Sequence, residues 1–522
     1  MKIIISYPPL EGLEGTPLLS QNRQYQVFKK PTYIYPVVPA SAATLLKRDG
    51  HEVIWNDCIA EGWSYSQFLE FIKREKPDLI ALETKTPVVK RHWKIINDLK
   101  ELSTFSAKGG SAAGGNFRLS TVLMGDHVTA LPEESFHHSP VDFVLTGGDY
   151  DFLLLKLCNC LRKQKRLEKL STFSAKGGSA TGGNFQLSTK LEPGIYFRDN
   201  GRIKDTGKFQ LNHDLDSSPF IDRELTKWHL YSTHNGNYKS LPGTYIMAGR
   251  DCWYHKCSFC SWTTLYPSFR VRKPEKVLDE IGMLLERHQV KEIMDDTGTF
   301  PGGEWLRKFC RGMMERGYNR RVFLDCNMRF GACDFEEYKL MKQANFRLLL
   351  FGLESANQAT LNRIDKGLKA EVIIESCKSA RKAGLYPHIT IMFGYPWESY
   401  EDALRTLKLG RYLLRKGYAH TVQATMVVPY PGTPLFEECK EKGLLKTLDW
   451  DRYDMKEPVM KIPMEDERVA KLVQGIYGVA FNPEFVWRRL GSVKDMDDIK
   501  YFVRAGAKII GHLFDFNHSR SK

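Results

Sequence analysis

The sequence predicts an α/β protein: an N-terminal doubly wound parallel sheet, then a partial (β/α)6 barrel, then a small, mainly helical tail. Short apolar segments of strand character alternate with helical segments over roughly the first 160 residues, and a second alternation begins near residue 240. Strands separated by helices are typical of parallel sheets. The last seventy or so residues carry no strong motif and are predicted to be mainly helical.

The first alternation contains five predicted strands. We place strands at 2–6, 51–55, 78–82, 121–124 and 141–145, and helices at 39–48, 65–76, 88–102 and from 149 onward. Sheets of this kind bind their ligands at the carboxyl ends of the strands. A ligand site is therefore expected at that edge of the first sheet.

A twenty-residue segment occurs twice in the chain. LSTFSAKGGSAAGGNFRLST at 102–121 recurs at 170–189 with only two differences, Ala113/Thr181 and Arg118/Gln186. A segment this rich in Gly, Ser and Ala lacks the apolar face needed to pack a core. We interpret both copies as inserted surface segments, which a fold can tolerate because loop-closure entropy rises slowly with length.

The second alternation contains six predicted strands, enough for a partial barrel. These strands are placed at 243–248, 292–294, 322–324, 348–351, 388–392 and 422–428, with helices at 274–288, 304–317, 335–344, 370–383 and 400–416. Between the two alternations, an Asn-Gly pair at 200–201 lies between strand-like flanks and predicts a hairpin.

These patterns divide the chain into four segments. The predicted boundaries are 1–165 for the first sheet with the insertion at 102–121, 166–238 for a linker with the hairpin and the insertion at 170–189, 239–450 for the partial barrel, and 451–522 for the tail.

The composition is that of a soluble globular protein, with 42% apolar and 26% charged residues. Neither a run of about 20 apolar residues nor a signal peptide is visible. Eleven cysteines without a secretion signal favour a reducing, cytoplasmic setting. The net charge of +14 comes from dispersed residues, so nucleic acid is not an expected partner. Such a charge also favours anionic substrates or lipid headgroups.

Three cysteines lie close together after the first strand of the second alternation. Cys252, Cys257 and Cys260 occur within the run GRDCWYHKCSFCSW at 249–262. Three thiolates in one loop can hold three irons of a [4Fe–4S] cluster and leave the fourth iron open. The alternatives are a zinc site completed by His255, or three unrelated buried cysteines. Zinc usually takes two pairs of ligands, and the sequence has no second Cys-x2-Cys pair.

Further motifs follow the cysteines in a fixed order, one after each predicted strand. They are MDDTGTF at 294–300, NMR at 327–329, GLES at 352–355, FGYPWE at 393–398 and PYPGTP at 429–434. Together with the cysteine loop, this series resembles cobalamin-binding radical SAM enzymes (SAM is S-adenosylmethionine), the group that includes the anaerobic magnesium-protoporphyrin ester cyclase and hopanoid-modifying enzymes. The usual loop there is Cys-x3-Cys-x2-Cys, and this chain has Cys-x4-Cys-x2-Cys.

The resemblance implies a set of SAM contacts at the strand ends. These are Asp295, Asp296, Arg329, Glu354 and Gly394. Carboxylates suit the methionyl ammonium, and a guanidinium suits the carboxylate. A helix N-cap remains the alternative role for Asp296, and a surface salt bridge remains the alternative for Glu354.

The first sheet resembles the cobalamin-binding domain of the same family. The implied cobalamin contacts are Thr84, Gly125, His127, Thr129, Gly147, Gly148 and Asp149. The Asp-x-His-x-x-Gly motif that supplies a cobalt-ligating histidine elsewhere is absent, because Asp126 and His127 are adjacent. His127 is therefore not assigned as a cobalt ligand. Glycines at these positions would let the backbone approach the corrin or its nucleotide tail.

The resemblance also implies an activity. A [4Fe–4S] cluster, SAM and cobalamin would together modify an unactivated carbon of a small-molecule or lipid-like substrate, with methylation favoured. An electron donor such as ferredoxin or flavodoxin would reduce the cluster. Two alternatives stay open: radical cyclisation or rearrangement without methyl transfer, and a sensor that binds cobalamin or the cluster without catalysis.

Overall fold

A computed structural model describes residues 1–12, 15–18, 26–28, 32–105, 118–174, 191–262, 268–493 and 495–515. The chain forms two compact units. The first comprises Met1–Glu11 and Pro36–Lys227, and the second comprises Gly12–Tyr35 and Trp228–Lys522. Residues 106–117 of the first repeated segment and 175–189 of the second lie outside the described residues. The four-segment division stays a prediction.

The first unit contains a sheet whose parallel part has the order β4-β1-β5-β6-β7. The strands are β1 (Lys2–Tyr7), β4 (Glu52–Asp57), β5 (Leu79–Glu83), β6 (Ser120–Met124) and β7 (Phe143–Leu145). In chain order this is the 2-1-3-4-5 arrangement, in which the strand order reverses between β1 and β5. The N-terminal parallel sheet predicted from the sequence is confirmed.

Seven helices accompany these strands within the described part of the first unit. They are α1 (Val37–Arg48), α2 (Cys58–Glu61), α3 (Tyr65–Glu75), α4 (Val89–Phe105), α5 (Asp126–Ala130), α6 (Glu134–His138) and α7 (Tyr150–Ser174). Helix α4 ends inside the first repeat and α7 inside the second. The first four residues of the first copy and the first five of the second therefore lie at the end of a helix.

The predicted hairpin is present and extends the first sheet. Strands β8 (Ile195–Asp199) and β9 (Arg202–Asp205) pair antiparallel, and β8 pairs antiparallel with β7. Asn200 and Gly201 between them both have positive φ, at 49° and 78°. A two-residue turn with two positive φ angles matches the twist of the flanking strands.

The second unit contains a six-stranded parallel sheet in simple chain order, the predicted partial barrel. Its strands are β10 (Gly243–Ile246), β13 (Glu292–Asp295), β14 (Phe323–Met328), β15 (Phe346–Glu354), β16 (Tyr386–Phe393) and β17 (Thr421–Met426). Two short antiparallel pairs join β2 (Thr16–Leu18) to β3 (Gln26–Phe28) and β11 (Gly249–Arg250) to β12 (Arg270–Val271).

The helices of the barrel alternate with its strands as predicted. They are α8 (Pro274–His288), α9 (Gly303–Glu315), α10 (Phe335–Gln343), α11 (Gln358–Arg363), α12 (Ala370–Lys382), α13 (Tyr400–Arg415) and α14 (Pro434–Glu441). Capping boxes begin two of them, at Asp334 for α10 and Ser399 for α13, where each side chain accepts a backbone N–H. Local sequence signals therefore set where these helices begin.

The tail is helical, as expected. It contains α15 (Asp466–Tyr477), α16 (Pro483–Leu490) and α17 (Met496–Asp515). Helix α15 buries Val469, Leu472, Val473 and Ile476 and packs on α13 and β17. Across the described residues, no helix combines the length and the apolar character that a bilayer crossing requires.

A buried ionic cluster lies at the amino ends of the barrel strands, away from the cysteine loop. A guanidinium nitrogen of Arg347 lies 2.6 Å from Glu292 and 2.8 Å from Asp325. All three side chains are almost fully buried. Because removing one partner would leave a buried charge uncompensated, the cluster fixes this end of the barrel.

Candidate cluster and cofactor sites

The cysteine loop starts at the carboxyl edge of the barrel sheet and is tied to two other loops. The backbone N–H of Ser258 donates to the carbonyl of Ile364 at 3.0 Å, and the N–H of Leu435 donates to the carbonyl of Ser258 at 2.9 Å. The segments that follow β15 and β17 thus hold the middle of the loop. The predicted position of the three cysteines at a strand's carboxyl end is observed.

The first cysteine of the loop has an unusual neighbour. Asp251 is fully buried and has a positive φ of 71°. Burial raises the pKa of its carboxyl to about 7, against a smaller lowering by the Cys252 backbone N–H. Next to it, the Cys252 Sγ lies 2.9 Å from the Oγ1 of Thr299, which belongs to the loop after β13.

Two cationic side chains lie beside the second cysteine. An Nη1 atom of Arg329 is 4.0 Å from the Cys257 Sγ, and its guanidinium carbon lies 3.7 Å from the centre of the Tyr254 ring. Burial raises the pKa of Cys257, whereas Lys366 and Arg329 act to lower it. Since a cluster is held by thiolates, these two cations favour the form of the thiol that binds iron.

Glu354, one of the predicted SAM contacts, is paired within the protein. Its Oε1 lies 2.7 Å from the Nζ of Lys366, and both side chains are largely buried. Glu354 also has a positive φ of 60°. Nearby, the hydroxyl of Tyr395 is buried and, within the described residues, has no hydrogen-bond partner. A buried polar atom of this kind fits a bound polar ligand.

The two predicted aspartates stand at the end of β13. Asp295 accepts hydrogen bonds from the backbone N–H groups of Ala248 at 2.7 Å and Thr297 at 3.0 Å. Burial raises its pKa to about 7, although these hydrogen bonds lower it. Asp295 therefore connects β13 to the entry of the cysteine loop. Asp296 is buried beside it.

Of the remaining SAM predictions, Gly394 follows β16 with a φ of 96°. Arg329 and Glu354 come together through Lys366, whose backbone carbonyl accepts a hydrogen bond from Arg329. The roles of all five residues in SAM binding stay predictions.

The first unit brings four of the predicted cobalamin contacts into direct contact. The Thr129 hydroxyl donates to the carbonyl of Gly125 at 2.7 Å and accepts from the N–H of Gly147 at 3.1 Å. A Cβ on Gly125 would lie 2.4 Å from the carbonyl oxygen of Thr84. The hydroxyl of Thr84 is buried and unpaired within the described residues. These groups lie at the carboxyl edge, where a ligand was expected.

Gly147 was expected to let the backbone approach cobalamin, and the structure shows that it also packs against a side chain of the protein. A Cβ on Gly147 would lie 2.5 Å from ring atoms of Phe209, so in this structure the absent side chain makes room for Phe209. Gly148 follows it directly, ahead of helix α7.

The two ionisable residues predicted for cobalamin both have partners in the chain. The Nε2 of His127 lies 2.8 Å from a Glu134 oxygen, and its Nδ1 lies 3.2 Å from the Thr86 hydroxyl. Asp149 lies 2.9 Å from the Nδ1 of His213. These contacts agree with leaving His127 unassigned as a cobalt ligand.

Sequence reasoning missed a buried polar network at the same edge. Glu83, the last residue of β5, accepts hydrogen bonds from the hydroxyls of Tyr7 at the end of β1 and Tyr150 at the start of α7. Burial raises the pKa of Glu83. Glu83 and Tyr7 end the two strands at which the strand order reverses, which is where ligands of such sheets bind.

Lys366 and His213 were also missed. Lys366 follows the short helix α11 and His213 lies in an irregular segment, so no periodicity marked either residue. Among the described residues, no group of three or more His, Cys, Asp and Glu side chains is arranged to hold a metal ion.

The chain is similar to known proteins over most of its length. Residues 247–410 match the family model of the radical SAM superfamily. The chain is 25% identical over 434 residues to an uncharacterized methyltransferase of Pyrococcus horikoshii, covering 82% of this chain and 84% of the relative. It is 23% identical over 423 residues to the anaerobic magnesium-protoporphyrin IX monomethyl ester cyclase of Cereibacter sphaeroides, covering 80% of this chain and 62% of that protein.

Two solved structures share the fold over nearly the whole chain. The cobalamin-dependent SAM radical enzyme OxsB, with aqua-cobalamin and SAM bound, superposes with a TM-score of 0.66 at 14% identity, covering 98% of this chain and 71% of OxsB. The radical SAM methyltransferase TsrM from Kitasatospora setae, with cobalamin and a [4Fe–4S] cluster bound, gives 0.62 at 14% identity, covering 98% and 99%.

The second unit therefore carries a radical SAM domain at residues 247–410, and the protein is an enzyme. More particularly, its fold is the one found in cobalamin-dependent radical SAM enzymes. The resemblance seen in the sequence motifs is confirmed.

Proposed function

We propose that this enzyme methylates an unactivated carbon of a small-molecule substrate with the help of a [4Fe–4S] cluster, SAM and cobalamin. The observation that carries the proposal is the set of three thiols in one loop at the carboxyl edge of the barrel, with Arg329 and Lys366 beside Cys257. The methyltransferases among the relatives support methylation over other outcomes.

The residues present fit the cluster and SAM. Cys252, Cys257 and Cys260 would hold three irons, and when bound the cluster would supply the electron that cleaves SAM. Around it, Arg329 and Lys366 would favour the thiolate of Cys257. The hydroxyl of Tyr395, which has no partner in the part of the chain that the structure describes, would donate to a polar atom of SAM.

The first unit would hold cobalamin at its carboxyl edge. Thr84 has a buried hydroxyl without a partner among the described residues, and it would bond the ligand, while Thr129 fixes the backbone at Gly125 and Gly147. In this proposal the first unit orients the cofactor and excludes water, which is the part a protein plays in cofactor chemistry. The proposal also includes a small-molecule or lipid-like substrate and an electron donor of the ferredoxin or flavodoxin type.

A radical cyclisation is the second candidate, because anaerobic magnesium-protoporphyrin IX monomethyl ester cyclases are among the relatives. The two candidates differ in a product that can be measured. Methyl transfer consumes a second SAM and releases S-adenosylhomocysteine, whereas cyclisation does not require it.

The test is anaerobic reconstitution with iron, sulfide and hydroxocobalamin. We expect about four irons and one cobalt per chain, with 5′-deoxyadenosine and S-adenosylhomocysteine formed from SAM under reduction. Cys257→Ala should lose iron and deoxyadenosine together. Cys377→Ala, which changes a buried cysteine of helix α12 outside the loop, should lose neither. Zinc in place of iron, or deoxyadenosine formation by Cys257→Ala, would overturn the proposal.

A further inference from the structure

The C-terminal tail exposes large apolar side chains that a folded protein would ordinarily bury. Trp487 is 80% exposed, Phe481 72% and Val503 68%. We call the whole set the tail surface; it comprises Phe481, Val486, Trp487, Leu490, Met496, Ile499 and Val503.

The exposed residues follow helical spacing. In α16, Val486, Trp487 and Leu490 fall on one face, and in α17, Met496, Ile499 and Val503 do the same. Other side chains of the same helices contact the protein. Arg489 of α16 hydrogen-bonds the partly buried ring of His420, and Tyr501 of α17 is 5% exposed. Both helices therefore contact the protein through other side chains and present an apolar face to solvent, the reverse of an ordinary surface helix.

A group of cations lies beside this surface. Arg488, next to Trp487, donates a hydrogen bond to the carbonyl of Lys416 and lies 3.2 Å from Glu484. Arg415 and Lys416, at the end of α13, approach the same Glu484 at 3.4 and 3.9 Å. Three cations thus share one carboxylate.

The basic character continues along α13. Lys408 and Arg411 are exposed two turns and one turn before Arg415, respectively, so they lie on the same side of the helix. Positive charge beside an apolar face is the pattern by which helices lie on anionic lipid surfaces. The net charge of +14 also favours binding to an anionic surface.

We propose that the tail surface docks on an anionic membrane surface. The apolar side chains of α16 and α17 would enter the boundary between headgroups and acyl chains, and the cations of α13 and α16 would contact the lipid phosphates. The protein would lie on the bilayer without crossing it. This inference does not depend on the proposed function, since it invokes neither the cluster nor cobalamin.

The test is flotation of the full-length protein with vesicles of equal parts phosphatidylglycerol and phosphatidylcholine, compared with vesicles of phosphatidylcholine alone. We expect the parent protein to float with the anionic vesicles. The double variant Trp487→Glu/Leu490→Glu should lower the bound fraction about tenfold, because it removes apolar contacts and adds negative charge. Leu448→Glu is the matched control: Leu448 is 57% exposed and lies outside the tail surface.

A second double variant tests the contribution of the basic side chains of α13. Arg411→Gln/Arg415→Gln should weaken binding to anionic vesicles and leave self-association unchanged. Equal binding by the parent and the Trp487→Glu/Leu490→Glu variant would overturn the assignment of this surface. Absence of flotation by the parent would overturn it as well. If the same variant instead changed the oligomeric state measured by light scattering, the surface would be a contact between copies.

Discussion

The ammonium of Lys366 lies 2.7 Å from the Oε1 of Glu354, and the two side chains form a largely buried ion pair. Burial by itself lowers the pKa of Lys366, but Glu354 and Cys257 outweigh it and raise that pKa. The Lys366 ammonium thus interacts electrostatically with two groups of the candidate site, the Glu354 carboxylate at the end of β15 and the Cys257 thiol of the cysteine loop.

Breaking this pair should destabilise the second unit. Lys366→Met would leave Glu354 buried without its partner, which typically costs about 3–5 kcal/mol. Urea unfolding of the apoprotein measures the loss. Lys378→Met removes an exposed lysine that pairs with Glu375 at 2.8 Å, and it should have no measurable effect. Similar losses in the two variants would contradict a special role for the buried pair.

Position 251 should favour glycine over alanine because of its backbone conformation. Its φ of 71° is unfavourable for any residue with a Cβ and readily adopted by glycine. Asp251→Gly should therefore be more stable than Asp251→Ala by about 1 kcal/mol. Both variants remove the buried carboxyl, so their difference isolates the backbone effect. Thermal unfolding checks it, and an alanine variant as stable as the glycine variant would refute it.

His213 should make the stability of the first unit depend on pH. Burial lowers its pKa, but hydrogen bonds from its ring to Asp149 and Glu192 outweigh this and raise the pKa to about 9. Because the folded pKa exceeds the unfolded value of 6.5, the stabilisation is complete below 6.5 and is lost as the pH rises toward 9.

His213→Gln should therefore lower stability by roughly 2 kcal/mol near pH 6, with the difference from the parent shrinking as the pH rises toward 9. Apparent melting temperatures across this range provide the measurement. A difference that stays constant with pH would show that the imidazole does not gain its proton from folding.

Gly125 should be essential to the carboxyl edge of the first sheet. It has a φ of 120°, and a Cβ would lie 2.4 Å from the Thr84 carbonyl oxygen. Gly125→Ala should combine backbone strain with this clash, lose more than about 2 kcal/mol and fail to bind hydroxocobalamin. Absorbance of protein reconstituted with hydroxocobalamin reports the binding.

Gly50→Ala is the matched control for that variant. Gly50 has a φ of 81°, but a Cβ there would meet nothing within 4 Å. It should cost about 1 kcal/mol, the strain alone, and retain cobalamin. If both alanine variants bound cobalamin equally, the contact between Gly125 and Thr84 would have no part in the site.

Much of the fold was predictable because its signals are local. Apolar strands, capping residues and an Asn-Gly turn lie within a few residues of the elements they define. The strand predicted at 348–351 is observed as Phe346–Glu354, and the helix predicted at 274–288 as Pro274–His288. The cysteine loop was equally visible, since its three thiols lie within nine residues.

The partners of the site residues were not predictable from such signals. Glu354 was singled out, but its cation follows twelve residues later, beyond a separate helix. Gly125 was assigned to a ligand, and the structure places the backbone of Thr84 against it, 41 residues away along the chain. Neither separation along the sequence matches the repeat of a helix or a strand, so no periodic pattern indicates these contacts.

By itself, the sequence determined the alternation of strands and helices, the position of the cysteine loop and the class of chemistry, because each depends on residues close together in the chain. Tertiary structure alone decided which charge faces which thiol, why Gly147 has no side chain and which faces of the tail helices meet solvent. These relationships arise where separate strands end at one edge of a sheet or where separate helices pack together. The residues involved are far apart in the sequence, so no local sequence signal indicates that they are in contact.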